Sequence, residues 1–517
     1  MAQDEYIKQL EETIKSLQNQ VLNLTDMVNL LTKKQFGSSS EKTKSSETDG
    51  QIGLFNEAEA EYKADASEPE KVKVEGHDRK KKKGHREELI KDLPVQEVEC
   101  FLAEVDKSCS WCNTALKPIG KEFVRQEIQF IPASLKVLKY YRHAYECPSC
   151  RKDGVPVIEK ALVPEPVMKR RLASASSVAW TMYQKYVNAL PLYRQEKDWE
   201  QYGIKLTRAT LANWIIRCST DWLMPVTRLL KEELLKRDIL HADETTVQVL
   251  NEENKKATTT SYMWLYRTGN DGKPSIVLYE YKPSRGGANA AAYLKDFHGY
   301  LHTDGYAGYE KVENVTRCGC WAHLRRYFVE AMPANAEKLL NITPAETGRD
   351  YCNKLFKIER DLEELLPEER KIKRLEQEKP VLEAFWSWLE TLNPLKGSHL
   401  GKAVTYAFNQ RVYMENYLLD GRCSLSNNAA ENSIRPFTIG RKNWEFAAST
   451  QGADASATIY SLVETAKAND LNVYKYLEYI LLYMPETDYK KYPEYLNEFL
   501  PWSPEVQQLC NNKQTNS

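Results

Sequence analysis

No apolar run in this 517-residue chain approaches the roughly 18 residues that a membrane-crossing helix needs, so no helical membrane span is expected. The opening Met1-Ala2-Gln3-Asp4-Glu5-Tyr6 lacks a basic segment followed by an apolar one. No secretory leader is therefore expected, and the expected compartment is the cytoplasm. Charge of one sign is also missing: 72 basic residues face 73 acidic ones, for a net charge of −1. A uniformly basic field, the simplest route to nucleic acid, is thus excluded. Apolar residues reach 42%, which argues against a disordered chain. Eleven cysteines in a reducing compartment point to metal ligation before disulfides.

What charge there is comes in clumps. Arg79 is followed by Lys80, Lys81, Lys82 and Lys83, and then by His85 and Arg86. Lys169-Arg170-Arg171, Arg325-Arg326 and Arg441-Lys442 are smaller groups. Such patches can bind phosphate while the whole chain stays neutral, although a lone basic block also serves as a solvated tail.

Residues 7–31 carry a heptad seam. Ile7, Ile14, Val21 and Val28 occupy a; Leu10, Leu17, Leu24 and Leu31 occupy d. β-branched a with Leu at d favours a parallel two-stranded coiled coil, so a homodimer or higher oligomer is expected. An amphipathic helix packed on its own domain remains the alternative. Residues 37–90 are rich in Ser, Glu, Lys and Asp, a linker composition.

Cys109-Ser110-Trp111-Cys112 and Cys147-Pro148-Ser149-Cys150 are two pairs with the spacing that turns both sulfurs toward one tetrahedral Zn²⁺. Two extended runs lie between them, residues 121–131 and 135–145. One structural Zn²⁺ is expected, with a redox pair or free thiols as the alternative. Cys218, Cys352, Cys423 and Cys510 stand alone and read as packing or surface residues.

Residues 192–201 and 207–217 read as two helices around Gly203, with Thr207 as N-cap. That is the pattern of a helix-turn-helix, with Arg208 near the start of the second helix, and equally of an ordinary helical hairpin. Three extended runs follow, at 239–250, 262–267 and 275–281. A helix is expected over 287–297, a fourth strand over 300–303 and a fifth over 315–320. This order is RNase H-like. It carries Asp243 on the first strand and Asp304 at the end of the fourth. Glu431 falls at a helix start after a charged helical stretch, residues 330–420, whose core candidates are Phe385, Trp386 and Trp388. Two strand-borne acids and one helix-borne acid can converge on two Mg²⁺, a hard ion that prefers carboxylate oxygens. With 73 acidic residues available, the acids alone would mean little; the order of elements around them carries the reading. Glu244, beside Asp243 on a strand, is expected on the opposite face.

The expected architecture is multidomain α/β. A coiled coil (1–36), a linker (37–90), a zinc-binding β module (91–160) and a helix-turn-helix-like DNA-binding domain (161–235) precede the RNase H-like catalytic core. The core runs over 236–330 and 421–468, split by a helical insertion (331–420) and followed by a helical tail (469–517).

The chain resembles transposases of the insertion-sequence-66 family over nearly its whole length. The resemblance rests on Phe36-Gly37-Ser38-Ser39-Ser40-Glu41-Lys42, the two cysteine pairs, Leu190-Pro191-Leu192-Tyr193-Arg194 and Ala242-Asp243-Glu244-Thr245. It continues through Asp304-Gly305-Tyr306-Ala307-Gly308-Tyr309 and Cys320-Trp321-Ala322-His323-Leu324-Arg325-Arg326. Asn428-Ala429-Ala430-Glu431 and Gly440-Arg441-Lys442-Asn443-Trp444 complete it. The resemblance implies an Asp-Asp-Glu recombinase with Asp243, Asp304 and Glu431 as ligands of two Mg²⁺, replaceable by Mn²⁺. It also implies a Cys-x-x-His motif at Cys320–His323, with His323 near the chemistry. Asn432-Ser433 departs from the family, which often has Arg after the glutamate.

The implied reaction is metal-dependent cleavage and strand transfer at the ends of an insertion sequence. Double-stranded DNA would be the partner, held by Lys80–Lys83, Arg208, Arg325, Arg326, Arg435, Arg441 and Lys442. Small accessory proteins of the same element are further expected partners, and a membrane is not. An RNase H-like nuclease or resolvase, or an inactive DNA-binding regulator, remains the alternative.

Overall fold

Ile239, Leu240, His241 and Ala242 are all buried, so both faces of the strand they begin must be covered. This strand, β3 (Ile239–Asn251), is the centre of the main sheet; only toward its far end does burial alternate, with Val247 and Val249 inward and Gln248 outward. The structure is a computed structural model that describes residues 134–146, 158–333 and 342–512, together with Thr13 and Leu24. The heptad seam (apart from those two helical residues), the linker, Lys80–Lys83 and the four paired cysteines lie outside the described residues.

Val137–Asn512 fall within one compact unit. It begins with a two-stranded antiparallel pair, β1 (Ala144–Glu146) and β2 (Ile158–Lys160). The strand expected over 135–145 is therefore regular only at its end, and residues 134–143 have no repeating structure.

Four helices follow: α1 (Ala175–Tyr186), α2 (Leu192–Gln201), α3 (Arg208–Cys218) and α4 (Met224–Leu235). Thr207 caps α3, its hydroxyl accepting from the Thr210 amide at 3.2 Å. Gly203 has φ +91°, a left-handed backbone that glycine adopts without a Cβ clash, and so turns the chain between α2 and α3. A short π-helical turn, Ser219–Leu223, joins α3 to α4.

The main sheet then forms. β4 (Thr260–Thr268) and β5 (Val277–Lys282) add antiparallel on one edge of β3. β6 (Tyr300–His302) and β7 (Thr316–Cys318) add parallel on the other. The strand order is β5-β4-β3-β6-β7, with β8 (Phe446–Ser449) also pairing parallel to β3. The helix after β5 is shorter than expected: α5 (Gly287–Tyr293) stops at the Leu294 cap, and Phe297 turns back onto the Leu294 carbonyl.

Two side-chain devices finish the sheet. β5 is an outer strand, and its exposed backbone groups are taken by a helix, α12 (Thr450–Ala468). Thr465 bonds both the amide and the carbonyl of Val277, and Ser461 accepts from the Tyr279 amide. That closes an edge that would otherwise invite strand pairing. On the other side of β3, β6 pairs only with Ile239–His241 and β8 only from Gln248 onward. Between these two strands the edge of β3 is left to side chains.

Between β7 and β8 lie α6 (Trp321–Ala331), α7 (Pro344–Asp361), α8 (Pro367–Gln377), α9 (Lys379–Glu390), α10 (His399–Met414) and α11 (Asn428–Trp444). Thr343 opens α7 with a reciprocal capping box to Glu346 and Pro344 in the first turn. Phe385 and Trp386 are buried, and Trp388 packs at the margin of a second core shared with Trp321 and Phe328. The main core joins the sheet to α1, α3, α4, α12 and the closing α13 (Val473–Tyr483) and α14 (Pro504–Cys510).

Candidate active site

The uncovered stretch of β3 is where Asp243 stands. Asn427, just before α11, donates from Nδ2 to the Ala242 carbonyl at 2.8 Å. From the last turn of α11, Arg441 bonds the Thr246 carbonyl and reaches the Thr245 hydroxyl at 3.1 Å. These two residues stitch α11 along the missing edge, and Glu431 lies on the same helix between them.

Asp243 is the most perturbed acid of the site. Burial, then the neighbouring charges of Glu244 and Asp304, push its carboxyl up to about 8, against a bond from the Glu244 amide and with a further push from Glu431. Three acids from distant parts of the sequence thus share one electrostatic environment. Asp304 lies two residues beyond β6. Its carboxylate accepts from the Tyr306 amide at 2.9 Å, and its carbonyl accepts from Arg317 at 2.6 Å. Arg317 is buried and also donates to the Thr303 hydroxyl, so one guanidinium fixes the backbone around Asp304. Gly305 follows because a Cβ there would lie 2.5 Å from the Tyr406 ring.

Glu431, in the first turn of α11, receives Arg326 from α6 at 3.2 Å. His323 Nδ1 stands 3.6 Å from its other oxygen. Burial holds the His323 imidazole below its usual pKa despite the pull of the Glu431 charge, so this is a neutral ring beside a carboxylate. Cys320, His323 and Glu431 form one of two groups of metal-ligating atoms lying within 4.8 Å of one another among the described residues; Asp243, Asp304 and Glu431 are not another. The Cys320 thiol is already occupied as acceptor for the Asn427 amide at 3.1 Å, and burial pushes it up to about 11.

Glu244 is expected on the opposite face from Asp243; its charge nevertheless acts on Asp243, and that of Asp304 acts on it, while its carboxylate is bound by Arg285 and Tyr309. Arg285 meets it at 2.6 Å and the Tyr309 hydroxyl donates to it at 2.5 Å. Arg325 turns to Asn353 on α7 at 2.7 Å, whereas its neighbour Arg326 turns to Glu431. Arg435 and Lys442 are exposed on α11, and Arg208 is exposed at the start of α3.

Sequence reasoning missed Asn427, Arg317 and the Glu244–Arg285 pair. Asn427 has the one available signal, an Asn at a helix entrance.

The family model of the IS66 transposase family matches residues 170–455, more than half of the chain. The chain belongs to the IS66 transposase family. Three further family models match this IS66 transposase: a zinc-finger binding domain of transposase IS66 over 106–151, Transposase C of IS166 homeodomain over 23–98, and the IS66 C-terminal element over 461–502. The zinc-finger match spans Cys109, Cys112, Cys147 and Cys150. Among relatives, uncharacterized protein y4qI of Sinorhizobium fredii is 28% identical over 92% of this chain and 88% of its own length. Uncharacterized protein y4hP of the same organism is 28% identical over 78% of this chain and 75% of its own. Among the described residues, no helix is long and apolar enough to cross a membrane.

Proposed function

We propose that this IS66 transposase cleaves DNA at the ends of its element and joins the freed 3′-hydroxyl to target DNA, using a divalent-cation site built from Asp243, Asp304 and Glu431. The observation that carries this reading is that Asp243 on β3, Asp304 just past β6 and Glu431 in the first turn of α11 lie close enough for the charges of Asp304 and Glu431 both to act on the buried Asp243 carboxyl. Crowded carboxylates are stabilised by a shared proton or by a cation, and perturbed groups of this kind cluster at functional sites.

The strand order β5-β4-β3-β6-β7, with the first strand central, supports an RNase H-like core interrupted by the α7–α10 insertion. The residues fit Mg²⁺: the donors are hard carboxylate oxygens, and Glu431 Oε1 is buried without a hydrogen-bond partner. When bound, such cations supply Lewis acidity to the scissile phosphate and acidify a water.

The chain's own residues do the rest. Asp243 must lose the proton that its surroundings favour. Arg317 and the Tyr306 amide hold Asp304 in place. Arg326 holds Glu431 and keeps its charge compensated until a cation arrives, with the neutral His323 ring beside the other carboxylate oxygen. Exposed Arg435 and Lys442, on the same helix, are placed to meet DNA phosphate; Arg208 on α3 and the basic run Lys80–Lys83 are further DNA contacts in this reading. One zinc held by Cys109, Cys112, Cys147 and Cys150 supports the DNA-binding module.

The test is joining of a labelled element end to supercoiled plasmid with Mg²⁺ or Mn²⁺. Joined product that disappears in Asp243→Asn, Asp304→Asn and Glu431→Gln, with end binding intact, is expected. Nicking without joining would favour a nuclease or resolvase. Binding with no nicking under either ion would favour a DNA-binding regulator.

A further inference from the structure

The ligating atoms of His302 on β6, Cys318 on β7 and Cys423 all lie within 4.8 Å of one another. His302 and Cys423 come from segments that nothing in the sequence links, and by sequence Cys423 stands alone as a packing or surface residue. All three side chains are buried, with His302 and Cys318 at 0% exposure and Cys423 at 1%. His302 and Cys318 are direct partners in the parallel register of β6 and β7, so their side chains emerge on the same face. Cys423 arrives from the loop that leads into α11.

Two features separate this cluster from ordinary core packing. First, neither ring nitrogen of His302 has a hydrogen-bond partner, although the ring is fully buried. A neutral imidazole must carry one N–H and one lone pair, and leaving both unmade in an apolar core is costly. The His241 ring stacks on it at 4.4 Å and 16°, which covers its face and offers its edge no partner. Second, the backbone on both sides is held. Arg374, itself fully buried, donates to the carbonyls of Tyr417, Asp420 and Cys423, while its charge is met by Glu359 at 2.6 Å. The sheet fixes His302 and Cys318, and the Arg374 clamp fixes Cys423.

The geometry points to a second, structural metal site, in which His302, Cys318 and Cys423 bind one zinc-class ion. Two sulfurs and an imidazole are soft and borderline donors that select zinc over Mg²⁺, so this site is chemically distinct from the carboxylate site. Binding releases the two thiol protons to solvent and leaves a divalent ion with two thiolates. That group is neutral, and the adjacent Arg374–Glu359 pair is neutral as well, so no net charge is left in the core. A water or a carbonyl oxygen completes four-coordination. The ion would tie β6 and β7 to the loop that delivers Asn427 and Glu431. Its role is to hold that loop, not to touch DNA.

The test is zinc content of the full-length protein, purified under reducing conditions and dialysed against excess Mg²⁺ to clear the carboxylate site. About two zinc ions per chain are expected, falling to about one in Cys318→Ala/Cys423→Ala and to about one in Cys109→Ser/Cys112→Ser. Zinc content unchanged by Cys318→Ala/Cys423→Ala overturns the proposal. So does a Cys318–Cys423 disulfide found by mass mapping of the native protein. Should the double alanine variant not fold, the cobalt-loaded Cys109→Ser/Cys112→Ser chain decides. Thiolate-to-cobalt absorption that His302→Gln shifts or removes is expected, and a spectrum indifferent to His302→Gln overturns the proposal.

Discussion

His323 Nδ1 lies 3.6 Å from Glu431 Oε1, and neither of these buried atoms has a hydrogen-bond partner. The distance is too long for a hydrogen bond. A carboxylate oxygen left unsatisfied in this way is poised for a cation. The His323 ring, kept neutral by burial, can then orient Glu431 without competing for its charge. His323→Ala is expected to lower metal-dependent nicking by roughly 10–100-fold, the usual effect of losing a group that orients a metal ligand. End binding, measured by gel shift in Ca²⁺, should be unchanged. Full nicking activity in His323→Ala would show that the ring only fills space.

Asp243 makes the protein's response to pH depend on metal. Its carboxyl is pushed from 3.8 up to about 8, mainly by burial and the Glu244 and Asp304 charges. The folded, metal-free state therefore holds a proton that the unfolded chain has lost. The stability this proton contributes is fully present below the unfolded value of 3.8 and is lost as pH rises through about 8. Asp243→Asn is neutral at every pH, so it should raise the melting temperature of metal-free protein near pH 8, by roughly 1–2 °C for each kcal/mol of relief in a unit of this size. Mg²⁺ needs the carboxylate, so its affinity for the unaltered protein should climb over the same window, by up to about tenfold per pH unit. Differential scanning fluorimetry with and without Mg²⁺ reads both. A variant that melts like the parent at pH 8 contradicts the argument.

Asn427 joins three elements with one side chain and its amide. Its Nδ2 donates to the Ala242 carbonyl, its Oδ1 lies 3.0 Å from His241 Nδ1, and its backbone amide donates to Cys320. With Nδ2 committed to Ala242, Oδ1 is the acceptor, so His241 carries its proton on Nδ1. Burial keeps that ring neutral, its pKa lowered to about 4. Asn427→Ala leaves a buried carbonyl and a buried N–H unpaired, at a cost of about 1–3 kcal/mol. Asn427→Asp should cost more, because it adds a buried charge and loses the donor to Ala242. Equal stability of parent and both variants by chemical denaturation would remove Asn427 from the framework.

How far the sequence reveals this arrangement depends on the range of the interaction. β4 is legible because Tyr262, Trp264 and Tyr266 recur at every second position, β3 because β-branched residues cluster from Thr245 to Val249, and α2 and α3 because Gly203 and Thr207 punctuate them. Asp243, Asp304 and Glu431 stand out through the order of the elements that carry them. The Asn427 links are not legible: the partners of a buried amide depend on which strand edge is left bare, and that is a tertiary fact. Cys423 likewise reads as solitary until β6 and β7 bring His302 and Cys318 beside it. The early end of α5 is not legible from periodicity, since Leu294 and Phe297 continue the apolar pattern past Tyr293 while the backbone turns at Leu294.

Arg325 and Arg326 are adjacent in sequence but differ in surroundings, which separates two roles that the sequence assigns to both. Arg325 bonds Asn353 across the α6–α7 contact, and Arg326 is 54% exposed beside Glu431. A phosphate contact releases counterions, and each one lost lowers the slope of log affinity against log salt by about 0.9. Arg326→Ala and Arg435→Ala should each weaken binding to all DNA alike and flatten that slope by about this amount. Arg325→Ala should leave the slope unchanged and instead loosen the insertion, costing about 1 kcal/mol for a lost hydrogen bond. Arg208, exposed at the start of α3, should behave in a third way. If α3 reads base edges, Arg208→Ala lowers affinity for element ends by about 1–3 kcal/mol and non-specific DNA by less. Fluorescence anisotropy on end and random duplexes across a salt series measures all four variants. Identical losses on both duplexes for Arg208→Ala and Arg326→Ala would leave α3 as a phosphate contact only.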